Sequence, residues 1–254
     1  MELTFLGTGA AGVLEDLKKD YSFGRGDKNV RRYSSTLLDQ TILFDCSIFT
    51  VEAITANGVC LSKIKSLFIT HFHGDHCDFE SIQQLALHTE KPLDIYYSCD
   101  GNFPFINNAV LHPLKGGETV NFDGYSITPF KANHSGNPLH YSIEKDGKRI
   151  FYGLDGAWLL YDTYYAMKDM NYDAMILDAT VGDYDGDYRM AEHNSIPMIR
   201  MMVKSFKAFG IANDNTKILL SHLARALHVT HAETEEKGKD DGFIVAYDGM
   251  KCNV

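Results

Sequence analysis

His71-Phe72-His73-Gly74-Asp75-His76 follows directly on the apolar run Ser66-Leu67-Phe68-Ile69-Thr70, and this juncture constrains the fold more than any other stretch. A short apolar run that gives way to a polar, glycine-containing segment predicts a buried strand ending in a sharp loop at a sheet edge. Imidazole and carboxylate, crowded here into one loop, are the donors that a borderline divalent cation such as zinc accepts. In extended backbone, alternate residues point the same way. His71 and His73 are therefore placed to grip one ion, while Asp75 and His76, beyond Gly74, turn toward a second. The competing reading is a solvated loop that happens to be rich in histidine.

At 254 residues with 44% hydrophobic content, the chain can bury a substantial core as one large α/β domain or two small ones. No proline-rich or low-complexity linker interrupts it, so residues 1–254 are read as a single domain. The formal charge of −10, from 34 acidic and 24 basic side chains, argues against a broad nucleic-acid surface, because phosphate binding needs a local excess of Lys and Arg. Arg25, Lys28, Arg31 and Arg32 form one basic cluster, suited to a small phosphate or simply to a solvated face. Cys46, Cys60, Cys77, Cys99 and Cys252 are odd in number and far apart, which points to a reducing compartment. The start Met1-Glu2-Leu3 has no basic leader region, and no apolar run reaches membrane-spanning length, so the expected location is the cytoplasm.

Strands are expected at Glu2 to Leu6, Ser35 to Asp39, Thr41 to Asp45 and Ser66 to Thr70, with helices at Ser47 to Ala56 and Phe79 to Leu87. Leu93 to Tyr97 reads as a strand, and alternating stretches follow at Glu118 to Asn121, Tyr125 to Lys131, His140 to Glu144 and Arg149 to Tyr152. Lys145-Asp146-Gly147-Lys148 is a hairpin signal, since Asp-Gly tolerates the positive φ of a tight turn. Trp158 to Met167 and Ile196 to Phe209 read as helices, and Ala174 to Asp178 and Lys217 to Ser221 as buried strands. Strands and helices thus come in two successive batches, an order that fits stacked sheets with helices outside, in four layers.

A two-ion site needs more donors than one loop supplies, and three apolar strands end on one. His134 follows the strand closing at Lys131, Asp155 follows Ile150-Phe151-Tyr152, and His222 follows Ile218-Leu219-Leu220-Ser221. Any one of them alone is equally well a turn cap. Together, the order H-x-H-x-D-H, then H, D and H, resembles the metallo-β-lactamase-fold hydrolases over essentially the whole chain. The resemblance implies an α/β (α+β) protein built as a four-layer αββα metallo-β-lactamase sandwich, with two divalent metal ions as cofactors. It assigns His71, His73 and His134 to one ion, Asp75, His76 and His222 to the other, and Asp155 as the bridge between them. Zinc suits such ligands first, and Mn or Fe is tolerated.

Phe5-Leu6-Gly7-Thr8-Gly9-Ala10, Asn29-Val30-Arg31-Arg32-Tyr33-Ser34-Ser35 and Ile42-Leu43-Phe44-Asp45-Cys46 are similar to the phosphodiesterase branch that includes PhnP and ribonuclease Z. Asp178-Ala179-Thr180 and Glu192-His193-Asn194-Ser195 resemble paired segments that in ribonuclease Z bring a carboxylate against a histidine beside the leaving group, with Asp178 standing where that family has glutamate. The resemblance implies hydrolysis of a small or cyclic phosphodiester by a metal-bridging hydroxide, which Asp75 helps to orient. His193, oriented by Asp178, protonates the leaving oxygen. A large nucleic acid fits less well than a small phosphodiester substrate. The chain shows no Gly- and Lys/Arg-rich insertion of the ribonuclease Z kind, and its early loop has none of the PhnP cysteines. Ribonuclease Z-like RNA processing, thioester or lactone hydrolysis, and a non-catalytic metal-binding protein stay open as alternatives. No membrane partner is expected, and the oligomeric state, a homodimer included, is left open.

Two further motifs are discounted. Gly7-x-Gly9-x-x-Gly12 matches a dinucleotide fingerprint, but no buried strand ending in an acid follows it, so the glycines are read as serving a tight turn near the metal loop. Asp183-Tyr184-Asp185-Gly186-Asp187 lacks the glycine and glutamate that a calcium loop requires, and is read as a polar loop. His140, His228 and His231 are candidates for lining a pocket, with a structural role as the commoner outcome, and His88 and His112 are taken as structural.

Overall fold

Short apolar runs bounded by turn residues become strands, and in the computed structural model, which describes residues 1–254, they assemble into two mixed sheets of seven strands. Each sheet anchors its own unit, one of Met1–Leu114 with Tyr247–Asn253 and the other of Lys115–Ala246 with Val254. The first unit runs β1 (Glu2–Gly7), α1 (Glu15–Lys19), β2 (Ser35–Leu38), β3 (Ile42–Phe44), α2 (Thr50–Ala56), β4 (Ser66–Phe68), α3 (Phe79–His88), β5 (Leu93–Ser98) and β6 (Ala109–Leu114). The second runs β7 (Val120–Phe122), β8 (Tyr125–Lys131), β9 (Leu139–Lys145), β10 (Lys148–Gly153), α4 (Tyr161–Ala166), β11 (Ala174–Asp178), α5 (Ile196–Ala208), β12 (Lys217–Ser221), α6 (His231–Gly238) and β13 (Ile244–Val245). The final strand, β14 (Lys251–Asn253), pairs antiparallel with β1.

Within the first unit the sheet order is β14-β1-β2-β3-β4-β5-β6, antiparallel as far as β3 and parallel from there to β6. Leu43, Leu67 and Ile95 from successive strands pack with Val51 and Ile54 of α2 and Ile82 and Leu85 of α3. The alternate side chains form an aromatic ladder in register. Phe44 lies 5.5 Å from Phe68, Phe68 4.4 Å from Tyr96 and Tyr96 4.6 Å from His112, measured between ring centroids. His112 is thus the ladder's outermost ring, held by Asp94 at 2.7 Å.

In the second unit the order is β13-β12-β11-β10-β9-β8-β7, antiparallel through β10 and parallel from β10 to β13. Parallel strands covered on both faces read as unbroken apolar runs, and every residue of β11 is buried. Phe151, Met175, Leu177 and Leu220 meet the stripe Ile199, Met202, Val203 and Phe206 of α5, spaced for one helical face. Ser195 caps that helix by accepting from the Met198 amide.

Several boundaries fall elsewhere than the sequence predicts. β4 stops at Phe68 because the Thr70 amide turns to the Asp45 carboxylate instead of a neighbouring strand. The predicted helix at Ser47 begins at Thr50, since the Ser47 amide donates to the Thr50 hydroxyl, and that at Trp158 begins at Tyr161 after an extended Leu160. Gly7 and Gly9 serve close approach of two chain segments: a Cβ on Gly7 would lie 2.0 Å from the Tyr33 carbonyl oxygen. The basic cluster is taken up structurally. Arg32 is buried and donates to the Tyr21 and Phe23 carbonyls, Arg25 donates to the Ala56 carbonyl, and Lys28 lies over the Tyr247 ring.

Candidate metal centre

Each unit gathers its own set of candidate ligands at the ends of its parallel strands. In the first unit the organiser is Asp45, fully buried directly after β3 and held at φ 60°. A left-handed backbone is uncommon outside glycine, and aspartate is among the residues that tolerate it best. Its Oδ1 accepts from the Thr70 amide at 2.8 Å and the Thr70 hydroxyl at 2.9 Å, and its Oδ2 from His76 Nδ1 at 2.8 Å. The Thr70 hydroxyl, having given its proton to Asp45, accepts from His71 Nδ1 at 3.0 Å. Both rings are thereby fixed in the tautomer that carries its proton on Nδ1 and leaves Nε2 as the acceptor nitrogen.

The loop itself is shaped by packing on one side and donors on the other. Phe72 turns into an aromatic group with Tyr97 and Phe103, against Gly101, where a Cβ would come within 1.8 Å of the Phe72 ring. His71 and His73 lie to the other side with ring centroids 4.4 Å apart, and His71 and His76 are 4.6 Å apart. Asp75 Oδ2 is 3.6 Å from His76 Nε2. Cys46 ties the end of this loop to β3: its amide donates to the His76 carbonyl at 2.8 Å, and its carbonyl accepts from the Asp78 amide at 2.8 Å.

In the second unit the donors come from four separated segments. Asp155 follows β10 at φ 52° and His222 follows β12 at φ 57°. His222 Nδ1 lies 3.0 Å from Asp155 Oδ1 and 2.7 Å from the Thr180 hydroxyl, which itself donates to the His222 carbonyl at 2.9 Å. His134 Nδ1 donates to the Glu192 carbonyl at 3.1 Å, and its Nε2 is 3.9 Å from Asp155 Oδ2. Left-handed conformations at histidine and aspartate in a tightly bonded setting are the kind of local strain that clusters at functional sites.

The structure brings His193 against Asp178. His193 Nδ1 is 2.8 Å from Asp178 Oδ2 and 3.4 Å from Asp155 Oδ1. Asp178, fully buried after β11, also accepts from the Thr180 amide at 2.7 Å. Donor atoms of Asp155, Asp178, His193 and His222 all lie within 4.8 Å of one another. Burial disfavours the charged His193 ring, but the Asp178 charge and hydrogen bond, with Asp155 and Glu192 adding to them, outweigh it and raise its pKa to about 9. Burial likewise works against the Asp178 carboxylate. The same ion pair wins there too, and keeps Asp178 below the usual carboxylate range.

Asp45, Thr70 and Thr180 hold the candidate ligands, and the sequence does not mark them as site residues. The signal that marks Asp155, an acid directly after an apolar strand, is equally present at Asp45. His140 and His231 lie outside the donor clusters, and His228 lines a cavity with Asp183, Tyr184 and Lys237. His140 is buried edge-on to Phe151 and kept neutral by burial, its pKa lowered to about 4. His228 donates to the Ala179 carbonyl at 2.7 Å, and His231 opens α6 beside Glu235. Of the polar loop's acids, Asp183 pairs with Lys237 and Asp187 with Arg189, leaving no calcium-loop geometry.

A family model described as a Beta-lactamase superfamily domain matches residues 40–222. The chain belongs to the β-lactamase superfamily. Among its superfamily relatives is a ribonuclease Z of Methanothermobacter thermautotrophicus, 30% identical over 165 residues that cover 59% of this chain and 50% of that protein. The chain spans about half the length of the curated relatives it matches. Two solved structures share its course over nearly full length. The metallo-β-lactamase fold protein YhfI from Bacillus subtilis has a TM-score of 0.75 at 16% identity, covering 99% of this chain and 98% of that one. A diphosphatase of the PhnP family has a TM-score of 0.72 at 16% identity, covering 100% and 97%. This superfamily member therefore has the metallo-β-lactamase fold, as its sequence leads one to expect. No helix is long and apolar enough to cross a membrane.

Proposed function

We propose that the chain is a dinuclear metal-dependent hydrolase of small or cyclic phosphodiesters, with residues 1–254 acting as one catalytic domain in the cytoplasm. His71, His73 and His134 are assigned to one divalent ion, Asp75, His76 and His222 to the other, and Asp155 to both. The donor chemistry fits such ions: buried imidazoles held by Asp45, Thr70 and Thr180 in the tautomers that offer a ring nitrogen, alongside carboxylates. Zinc suits this set first, with manganese or iron tolerated. When bound, the ions supply an activated water at neutral pH and offset charge on the phosphate oxygens. Asp75 orients the attacking water, and His193 holds the proton that the departing oxygen needs. Asp178 keeps that ring charged and aimed.

The pair of buried Asp178 and partly exposed His193 against Asp155 carries the reading, because a charged imidazole at such a place is suited to protonate an alkoxide leaving group. His73→Ala and Asp155→Ala are each expected to abolish hydrolysis of bis(p-nitrophenyl) phosphate at matched protein concentration. Elemental analysis of the unaltered protein is expected to give two metal equivalents. Unchanged rates in both variants would remove the proposal. A second reading, RNA processing, is favoured by the ribonuclease Z relatives. A structured RNA run beside the small ester, a thioester and a lactone separates the readings, and full metal occupancy without turnover on any of them points to a binding protein.

A further inference from the structure

The segment from Gly182 to His193 leaves the second unit's donor cluster and returns to it. Its neck is closed by the Val181 amide on the Asn194 carbonyl at 3.1 Å and the Ile196 amide on the Gly182 carbonyl at 2.7 Å. Its returning end is fixed by His134 Nδ1 on the Glu192 carbonyl at 3.1 Å. The His193 amide donates to the Arg189 carbonyl at 2.8 Å, so the single turn Tyr188–Ala191 leads straight into His193. Tyr188 stands five residues before the proposed proton donor.

Tyr188 is 80% exposed although the Arg189 guanidinium carbon lies 4.8 Å from its ring centroid. A cation backs the ring, and most of the residue is open to solvent. The backing group does not wander, because Asp187 Oδ2 accepts from the guanidinium at 2.8 Å and Asp187 Oδ1 from the Arg189 amide at 2.9 Å. A tyrosine this exposed contributes little to packing in the fold, whereas a flat ring backed by a fixed cation is what a heteroaromatic ring stacks on.

We propose that Tyr188, backed by Arg189, is the platform on which the base of a nucleoside phosphodiester stacks; this rests on the phosphodiesterase reading and specifies its substrate class. The segment's charge narrows the class further. Asp183, Asp185, Asp187 and Glu192 accompany a single basic residue, Arg189. Asp183 pairs with Lys237 and Asp187 with Arg189, so the segment has no Lys or Arg in excess of its carboxylates; a chain of phosphates needs such an excess, whereas an ester with one negative charge does not. The ligand is a mononucleoside ester, and RNA is disfavoured.

The test compares adenosine 2′,3′-cyclic phosphate with glycerol 1,2-cyclic phosphate, which lacks a base, on the metal-loaded protein. Tyr188→Ala is expected to raise KM for the adenosine ester about tenfold, the usual scale of one base stacked on one aromatic side chain, with kcat unchanged. The glycerol ester is expected to show no change, and Tyr188→Trp to restore the adenosine KM. Calorimetric titration with adenosine 5′-monophosphate reads the platform without turnover, and the affinity is expected to fall by the same factor. If neither ester is hydrolysed, the phosphodiesterase reading fails and the titration alone decides the platform. Equal losses on both esters, no binding of the monophosphate, or identical affinity in Tyr188→Ala would overturn it. An oligoribonucleotide that binds more tightly than the monophosphate would overturn the mononucleoside assignment.

Discussion

The two units follow one plan and use it differently. In each, antiparallel strands lead into three successive parallel pairings, and an aspartate in a left-handed conformation follows the strand where the change occurs: Asp45 after β3 and Asp155 after β10. In each, a threonine stands two residues beyond the next strand, Thr70 after β4 and Thr180 after β11, and its hydroxyl meets a histidine Nδ1. The difference lies in what the aspartates do. Asp45 commits its oxygens to Thr70 and His76, whereas Asp155 faces His134, His193 and His222. One unit concentrates its candidate ligands in a single loop and uses its aspartate to brace them. The other spreads its candidate ligands over several strand ends, with the aspartate among them.

The largest expected effect that separates the two arrangements comes from the pair with no counterpart in the first unit. Asp178→Asn keeps the shape of the side chain and removes the charge that raises the His193 pKa. A proton donor works only while protonated, so activity is lost as pH rises through its pKa. Removing Asp178's charge lowers that pKa and is expected to move the alkaline limb of the kcat profile to lower pH, with kcat reduced about 100-fold. A limb that stays in place would show that His193 is not the acid. Asp45→Asn is expected to leave the limb where it is, and instead to weaken metal affinity about 10- to 100-fold, the usual cost of losing a partner that orients a ligating imidazole. Titration against a chelator measures this. A shifted limb in Asp45→Asn would break the distinction between bracing and catalytic carboxylates.

The same contrast explains what could be read from the sequence. His71, His73, Asp75 and His76 announce themselves because they lie together and follow an apolar run. His134, Asp155 and His222 are visible only through their places at strand ends. Thr70 and Thr180 carry no such mark, since a hydroxyl that supports a ligand looks like any other threonine until the fold is known. β6 went unpredicted because His112 and Pro113 interrupt its apolar pattern, which an edge strand tolerates. α6 went unpredicted for a related reason. Its residues His231-Ala-Glu-Thr-Glu-Glu-Lys-Gly carry no apolar stripe, and the one available signal was the Thr230-x-x-Glu233 pattern of a capping box.

That capping box gives the smallest and most local test of the two-unit description. Thr230 accepts from the Glu233 amide while the Glu233 carboxylate accepts from the Thr230 amide at 3.0 Å, and with so little apolar surface the helix depends heavily on this start. Thr230→Ala is expected to cost about 1 kcal/mol. Because α6 lies beside β13 at one edge of the second sheet, the loss should stay there. Amide hydrogen exchange is expected to speed up about fivefold across α6 and β13, with protection in β4 and β5 unchanged, since an edge helix opens without the rest of the fold. Equal loss of protection in β4 and β5 would mean that α6 opens only when the first unit does, and the two units would then be one cooperative body whose shared plan reflects a single folding event.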